Sequence, residues 1–182
     1  MSFGRWFRKL YLLYLSQPAG ERALFRHLLG RPVRSVVEVG VRLETRTERL
    51  LEIAGWSGGE LRYTGIDLFE ARPEGQEKIT LKAAFAKLRR PTVHVQLVPG
   101  DPYSALVRVA NSLAGTDVVI VSADVDQESL ERAWVWVPRM LKPGSAVLLE
   151  EATEAARTWR VMPQAEVLKR AEAAKGGRRK AA

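Results

Sequence analysis

The sequence predicts an α/β protein with a doubly wound, mostly parallel sheet and a helical extension at its N-terminus. From residue 35 onwards, five short apolar runs alternate with segments of helical periodicity. This alternation is typical of parallel strands joined by crossover helices that cover both faces of the sheet. The chain has 182 residues, 46% of them hydrophobic, which suits a single domain with a substantial core.

Residues 1–33 are predicted to form the helical extension. Large apolar residues recur there at three- and four-residue intervals between basic ones, so an amphipathic helix is expected up to Ser16. A second helix is expected over residues 20–29, before Gly30 and Pro32. We expect the first helix to dock on the domain; contact with a membrane surface is the alternative. The side chains expected to dock are Trp6, Phe7, Leu10 and Tyr14.

The α/β domain is predicted to span residues 34–174. Its strands are expected at residues 35–39, 61–67, 94–98, 117–123 and 145–151, with a sixth at 158–162. Its helices are expected at residues 45–54, 79–90, 103–113, 127–141 and 163–174. Thr45 and Glu48 stand in the T-x-x-E arrangement of a capping box, which predicts that the first of these helices begins at Thr45. The five main strands are expected to be parallel neighbours in one sheet.

The net charge of +8 is concentrated at the two ends of the chain. Residues 1–34 carry seven Lys/Arg and one acid, whereas residues 175–182 carry four Lys/Arg and no acid. The second segment is expected to be a disordered, solubilising tail. Its charge is also suited to nucleic acid or to an acidic partner, so that alternative stays open.

Several classes of site are excluded or disfavoured by composition. Because the chain has no cysteine, it has no disulfide scaffold, no zinc–thiolate site and no cysteine nucleophile. Only His27 and His94 are available for a histidine metal cluster or a Ser-His-Asp triad. The apolar run LYLLYL is shorter than that of a signal peptide, and no small-residue cleavage site follows it, so a cytoplasmic location is expected.

An acidic residue closes or follows each of the five predicted strands. These residues are Glu38, Asp67, Asp101, Asp124 and Glu150. Each acid taken alone is explained by a helix cap. Because the carboxyl ends of parallel strands meet at one edge of a sheet, the five together predict a small-molecule cleft there.

Residues 34–151 resemble the class I S-adenosylmethionine-dependent methyltransferase family, whose domain is Rossmann-like. The resemblance rests on VVEVG, YTGIDLFE, LVPGDPYSAL, TDVVIVSADVD and WVPRMLKPGSAVLLEE, which are similar to the family's successive motifs. It implies S-adenosyl-L-methionine as the cofactor. It also implies that Glu38 and Gly40 lie at the methionine end, Asp67 binds the ribose hydroxyls and Asp101 lies near the adenine. Asp124 would face the acceptor as the catalytic residue.

The sequence also departs from the family's pattern. The family's loop reads G-x-G-x-G, but here only Gly40 is kept, and Val41, Arg42 and Leu43 bring Cβ atoms to the methionine end. Glu44 would repel the cofactor's carboxylate, whereas Arg42 would pair with it.

Two further departures concern metal binding and the C-terminal region. Ser122 stands where the family's metal-binding branch has aspartate, so no metal is expected. The region after Glu151 is shorter than the usual closing strand pair, so the N-terminal helices are candidates to replace the missing cap.

Three functions are compatible with this sequence. The first is a methyltransferase that acts on an acceptor the sequence does not identify. The second is an inactive methyltransferase fold that serves as an interaction module through its basic termini. The third is a nucleotide- or NAD-binding protein, which the missing G-x-G-x-x-G argues against.

Overall fold

The computed structural model describes residues 3–56, 58–154 and 156–180, and it contains a six-stranded sheet in the order β3-β2-β1-β4-β5-β6. The strands are β1 (Ser35–Val39), β2 (Leu61–Asp67), β3 (Val93–Pro99), β4 (Thr116–Val121), β5 (Leu141–Ala152) and β6 (Arg157–Met162). Strands β1 to β5 pair in parallel, and β6 pairs antiparallel with β5. The prediction of five parallel neighbours is confirmed.

The helices cover both faces of this sheet. They are α1 (Phe3–Leu10), α2 (Glu21–Leu29), α3 (Glu48–Gly55), α4 (Leu81–Leu88), α5 (Pro102–Val109), α6 (Gln127–Ala133), α7 (Val137–Met140) and α8 (Gln164–Lys180). Alternate residues of β4 belong to two different cores: Ile120 packs with α2 and α3, whereas Val121 packs with α5 and α6. Because successive side chains of a strand point to opposite faces, the two cores lie on opposite sides of the sheet. The doubly wound fold class is therefore confirmed.

Two helices differ from their predicted forms. A π-helical turn, Leu43–Thr47, precedes α3, so helical backbone begins before Thr45, whose side chain lies outside the described part. The helix predicted over residues 127–141 is divided into α6, a 3₁₀ turn and α7. Pro138 sits in the first turn of α7, where a residue without an N–H cannot continue an earlier α-helix.

The N-terminal extension docks through a different set of side chains from the one predicted. Leu12 and Leu13, in the wide turn that follows α1, are buried in the core. Trp6, Phe7 and Tyr14 are instead 49%, 50% and 56% exposed, so the prediction that they dock is wrong, whereas Leu10 is partly buried. The periodicity indicated a helix but did not indicate which of its two apolar sides faces the domain.

The helix α2 lies against β6 and α3. Gly20, just before it, is so close to β6 that a Cβ atom there would overlap the carbonyl oxygen of Arg157. Within the described residues, one antiparallel strand, β6, follows β5, and the N-terminal extension packs beside it.

The last helix extends beyond its predicted end. α8 continues to Lys180, so the described residues of the expected disordered tail are helical. Contact of this basic segment with nucleic acid stays a prediction. No helix among the described residues is long and apolar enough to cross a membrane.

Candidate functional site

A cavity of about 520 Å³ opens at the carboxyl ends of β1, β2, β3 and β4. Its volume falls within the roughly 300–1,000 Å³ of small-molecule sites. Four of the five residues singled out from the sequence line it: Gly40, Asp67, Asp101 and Asp124. Arg42 and Arg72 line it as well. The strand-end acids therefore meet at one edge of the sheet.

Gly40 occupies the turn that leaves β1. Its φ of +85° is a conformation that side chains with a Cβ rarely adopt. A Cβ atom there would lie 2.6 Å from Cβ of Ser122 and 2.8 Å from Cγ1 of Val125. Glycine is thus required by the close packing of this turn on the loop after β4, independently of any ligand.

Asp67, at the end of β2, has both carboxylate oxygens hydrogen-bonded within the protein. Its Oδ1 accepts from Nε of Arg72 at 2.7 Å and from the backbone N–H of Phe69 at 2.9 Å. Its Oδ2 accepts from Nη2 of Arg72 at 2.9 Å and from the N–H of Val41 at 2.8 Å. A carboxylate offers about four acceptor positions, so those of Asp67 are all in use.

Arg72 is held firmly in this position. It also donates to the carbonyl oxygens of Val41, at 2.7 Å, and Glu77, at 2.8 Å. The hydrogen bond with Asp67 raises the pKa of Arg72, despite partial burial. A ligand that binds Asp67 through two hydroxyls must therefore displace the guanidinium, which would free two acceptor positions.

Asp101 serves as the N-cap of α5. Its Oδ1 accepts from the backbone N–H of Tyr103 at 3.0 Å and of Ser104 at 3.1 Å, and also from the hydroxyl of Ser129. Burial alone would raise its pKa, but the hydrogen bonds from Ser104 and Ser129 lower the pKa to about 2. The capping role explains why an acid follows β3, and Asp101 still lines the cavity.

Asp124, the predicted catalytic residue, is bound by two arginines. Arg157 donates from Nη2 to Oδ1 at 2.7 Å and from Nη1 to Oδ2 at 3.1 Å, and Arg42 also donates to Oδ2. Although burial acts to raise its pKa, these arginines lower the pKa of Asp124 to about 2. A carboxylate with that pKa is a poor proton acceptor at neutral pH, which argues against a role as general base.

Glu38 does not line the cavity, and its expected position at the methionine end of a cofactor stays a prediction. Its side chain is fully buried and accepts from Nε of Arg46 at 2.7 Å, from the hydroxyl of Thr47 at 2.9 Å and from that of Tyr63 at 2.7 Å. Glu38 is a buried structural acid that holds the turn after β1 to the start of α3.

Sequence reasoning missed the arginines that neutralise these acids, apart from Arg42. Arg46 is fully buried; it pairs with Glu38 and, at 3.4 Å, with Glu150, and its guanidinium lies 5.1 Å from the ring centre of Trp159. A buried acid must pair with a cation or take up a proton. The row of acids at the strand ends was therefore the feature of the sequence that indicated arginines nearby. Ser122 also donates to Glu150, at 2.9 Å.

No protein-family model and no curated protein sequence matches this chain. Solved structures do resemble it. A TehB-like SAM-dependent methyltransferase from Corynebacterium glutamicum has a TM-score of 0.53 and 14% identity, over 94% of this chain and 80% of that one. The O-methyltransferase TomG from Streptomyces achromogenes, solved with SAM, has a TM-score of 0.52 and 14% identity, over 97% and 78%. A duf574 family protein from Streptomyces avermitilis has a TM-score of 0.52 and 18% identity, over 97% and 67%.

At such low identity, this likeness shows the fold alone. The chain has the Rossmann-like fold of the S-adenosylmethionine-dependent methyltransferases.

Proposed function

We propose that this chain binds S-adenosylmethionine in the strand-end cavity and transfers its methyl group to an acceptor. The observation that carries the proposal is the position of Asp67. Its carboxylate ends β2 and lines a ligand-sized cavity between the Gly40 turn and Asp101, in a fold shared with methyltransferases.

The cavity has the volume of a small-molecule site, and its side chains offer chemical groups that suit the cofactor. Asp67 suits two ribose hydroxyls, because displacement of Arg72 frees two of its acceptor positions. Arg42 suits the carboxylate of the methionine part, since it is a cation on the same cavity wall. The backbone of the turn contributes little, because the N–H of Val41 already donates to Asp67 and that of Arg42 donates to Thr47.

The bound cofactor supplies a methyl group on a sulfonium sulfur for in-line transfer. The chain's part is to position the two reactants, which is where most of the rate gain of such a transfer arises. Asp124 stays ionised and keeps Arg42 and Arg157 in place; it does not remove a proton from the acceptor.

Calorimetric titration with S-adenosylmethionine and its demethylated product tests this proposal. Asp67→Asn should weaken binding, because a charge-assisted interaction worth about 1.5–3 kcal/mol is lost while the side chain keeps its size. The net loss should be smaller than that, because the variant has no ion pair with Arg72 to break.

Asp117→Asn is the matched control for that variant. Asp117 also accepts from two backbone N–H groups, at 2.8 and 2.9 Å, and pairs with a cation, Lys142, but it lies at the opposite edge of the sheet. Its substitution should leave binding unchanged. Arg72→Gln removes the guanidinium that occupies both carboxylate oxygens of Asp67. If neither the wild type nor this variant binds the cofactor, the proposal is wrong and the alternative function, an interaction module, is favoured.

A further inference from the structure

The N-terminal helix and the turn that follows it carry apolar side chains on two sides. The inner side contributes Leu12 and Leu13 to the core. The outer side, here named the aromatic face, consists of five residues that are 39–67% exposed: Trp6, Phe7, Tyr11, Tyr14 and Leu15. Trp6 and Phe7 lie on α1, and their rings meet edge to face with 4.9 Å between the ring centres; Tyr11, Tyr14 and Leu15 lie in the wide turn that follows.

Arginines are fixed at the rim of the aromatic face. The guanidinium of Arg8 lies 5.5 Å from the ring centre of Tyr11 and pairs with Glu52 at 3.0 Å. That of Arg26 lies 5.4 Å from the ring centre of Tyr14 and donates to the carbonyl oxygen of Leu13 at 3.2 Å. Both cations are thus held beside the exposed rings.

We propose that the aromatic face binds the surface of an anionic membrane. Exposed Trp, Tyr and Phe rings with arginines at their edge match the headgroup region of a bilayer, where rings enter the apolar boundary and cations meet phosphates. A large exposed apolar patch on a folded domain indicates an interaction site.

Charge favours a membrane over a second copy of this chain as the occupant. Residues 3–26, from α1 into α2, carry five Lys/Arg and one acid, and Glu52 pairs with one of the five, Arg8. The segment therefore keeps a basic excess, so a symmetric pair would bring two basic segments together. The same excess attracts anionic lipid headgroups.

Co-sedimentation of the full chain with vesicles tests the proposal. Vesicles of phosphatidylcholine mixed with phosphatidylglycerol should pellet the protein, vesicles of phosphatidylcholine alone should pellet less, and added salt should weaken binding. Leu15→Asp should weaken the partition about tenfold or more, since it replaces an apolar contact by a like charge to the lipid.

Leu168→Asp is the matched control. Leu168 is also an exposed leucine, at 48%, but it lies on α8, so this variant should bind vesicles as the wild type does. Thermal unfolding should give wild-type midpoints for both variants. Tyr14→Ser provides a second test of the same face if Leu15→Asp does not fold.

Three outcomes would overturn the proposal. The first is a wild type that stays in the supernatant with anionic vesicles. The second is a folded Leu15→Asp variant that pellets as fully as the wild type. The third is a wild type that does not bind vesicles but forms a dimer, with Leu15→Asp converting that dimer to a monomer; this result would assign the aromatic face to a second copy.

Discussion

Replacing Arg72 by glutamine removes the guanidinium that bonds both carboxylate oxygens of Asp67. The glutamine amide is neutral and shorter, so the two acceptor positions become free for a ligand. If the cavity binds the ribose of S-adenosylmethionine through Asp67, the wild type must break this ion pair on binding, whereas Arg72→Gln need not. The variant should therefore bind the cofactor more tightly than the wild type.

The size of the gain follows from the geometry of the pair. Its two hydrogen bonds are 2.7 and 2.9 Å long, and the side chains are only 16% and 9% exposed. An exposed ion pair contributes about 0–1 kcal/mol, and hydrogen bonds to charged groups contribute about 1.5–3 kcal/mol. A shielded pair at the cavity wall then contributes about 1–2 kcal/mol, which corresponds to about 5- to 30-fold in affinity.

Calorimetry with two fragments of the cofactor separates this effect from general loosening of the loop. Adenosine carries the ribose and should gain affinity in Arg72→Gln, whereas methionine has no ribose and should not. Arg170→Gln is the control, because Arg170 pairs with Glu131 and Glu166 on a surface away from the cavity. Equal or weaker adenosine binding by Arg72→Gln, with a wild type that binds, would refute the idea that Arg72 competes for Asp67.

Three further predictions concern the network around the cavity. Arg46→Met should lower the free energy of unfolding by about 3–5 kcal/mol in urea titrations, because Glu38 would be left buried without its cation. Lys175→Met, at the exposed pair with Glu172, should change it by at most about 1 kcal/mol. Gly115→Ala should lower the free energy of unfolding by about 1–2 kcal/mol, because Gly115 has a positive φ but no atoms near the new Cβ. Gly40→Ala should lower it more, because there the new Cβ also overlaps neighbouring atoms. Equal losses in the two variants would contradict the packing argument. The pKa of Asp124 is lowered from its ordinary value of 3.8 to about 2 in the folded protein, so ionised Asp124 stabilises the fold above pH 3.8. This contribution is lost as the pH falls from 3.8 towards about 2. Unfolding titrations of the wild type and Asp124→Asn should therefore show a stability difference that shrinks over that pH interval.

The sheet could be predicted from the sequence because its signals are local. A buried strand such as residues 35–39 needs only a short β-branched run, and all five of its residues are buried in the structure. The N-terminal helix shows where such signals end. Its residues are apolar on two sides, and only the packing of Leu12 and Leu13 against α2 decides which side is covered.

The candidate site was predicted only in part, because its contacts join distant parts of the chain. The acids at strand ends were found, since strand ends can be read from the sequence. Their partners were not: Arg157 is 33 residues from Asp124, and Arg46 is 104 residues from Glu150. No periodicity reports such pairs, which depend on how the loops after β1, β4 and β5 meet in space.

The side chains that bond the turn after β1 also give a physical reason why this turn needs no further glycines. In a glycine-rich loop, free backbone N–H groups and the absence of Cβ atoms let the chain approach an anionic ligand. Here the chain's own side chains bond that backbone: the N–H of Val41 donates to Asp67, the N–H of Arg42 donates to Thr47, and the carbonyl oxygen of Gly40 accepts from Arg46. A turn satisfied in this way has few polar groups left for a ligand. A ligand bound at this cavity would therefore be recognised mainly by side chains, and Asp67 would take part only if Arg72 released it.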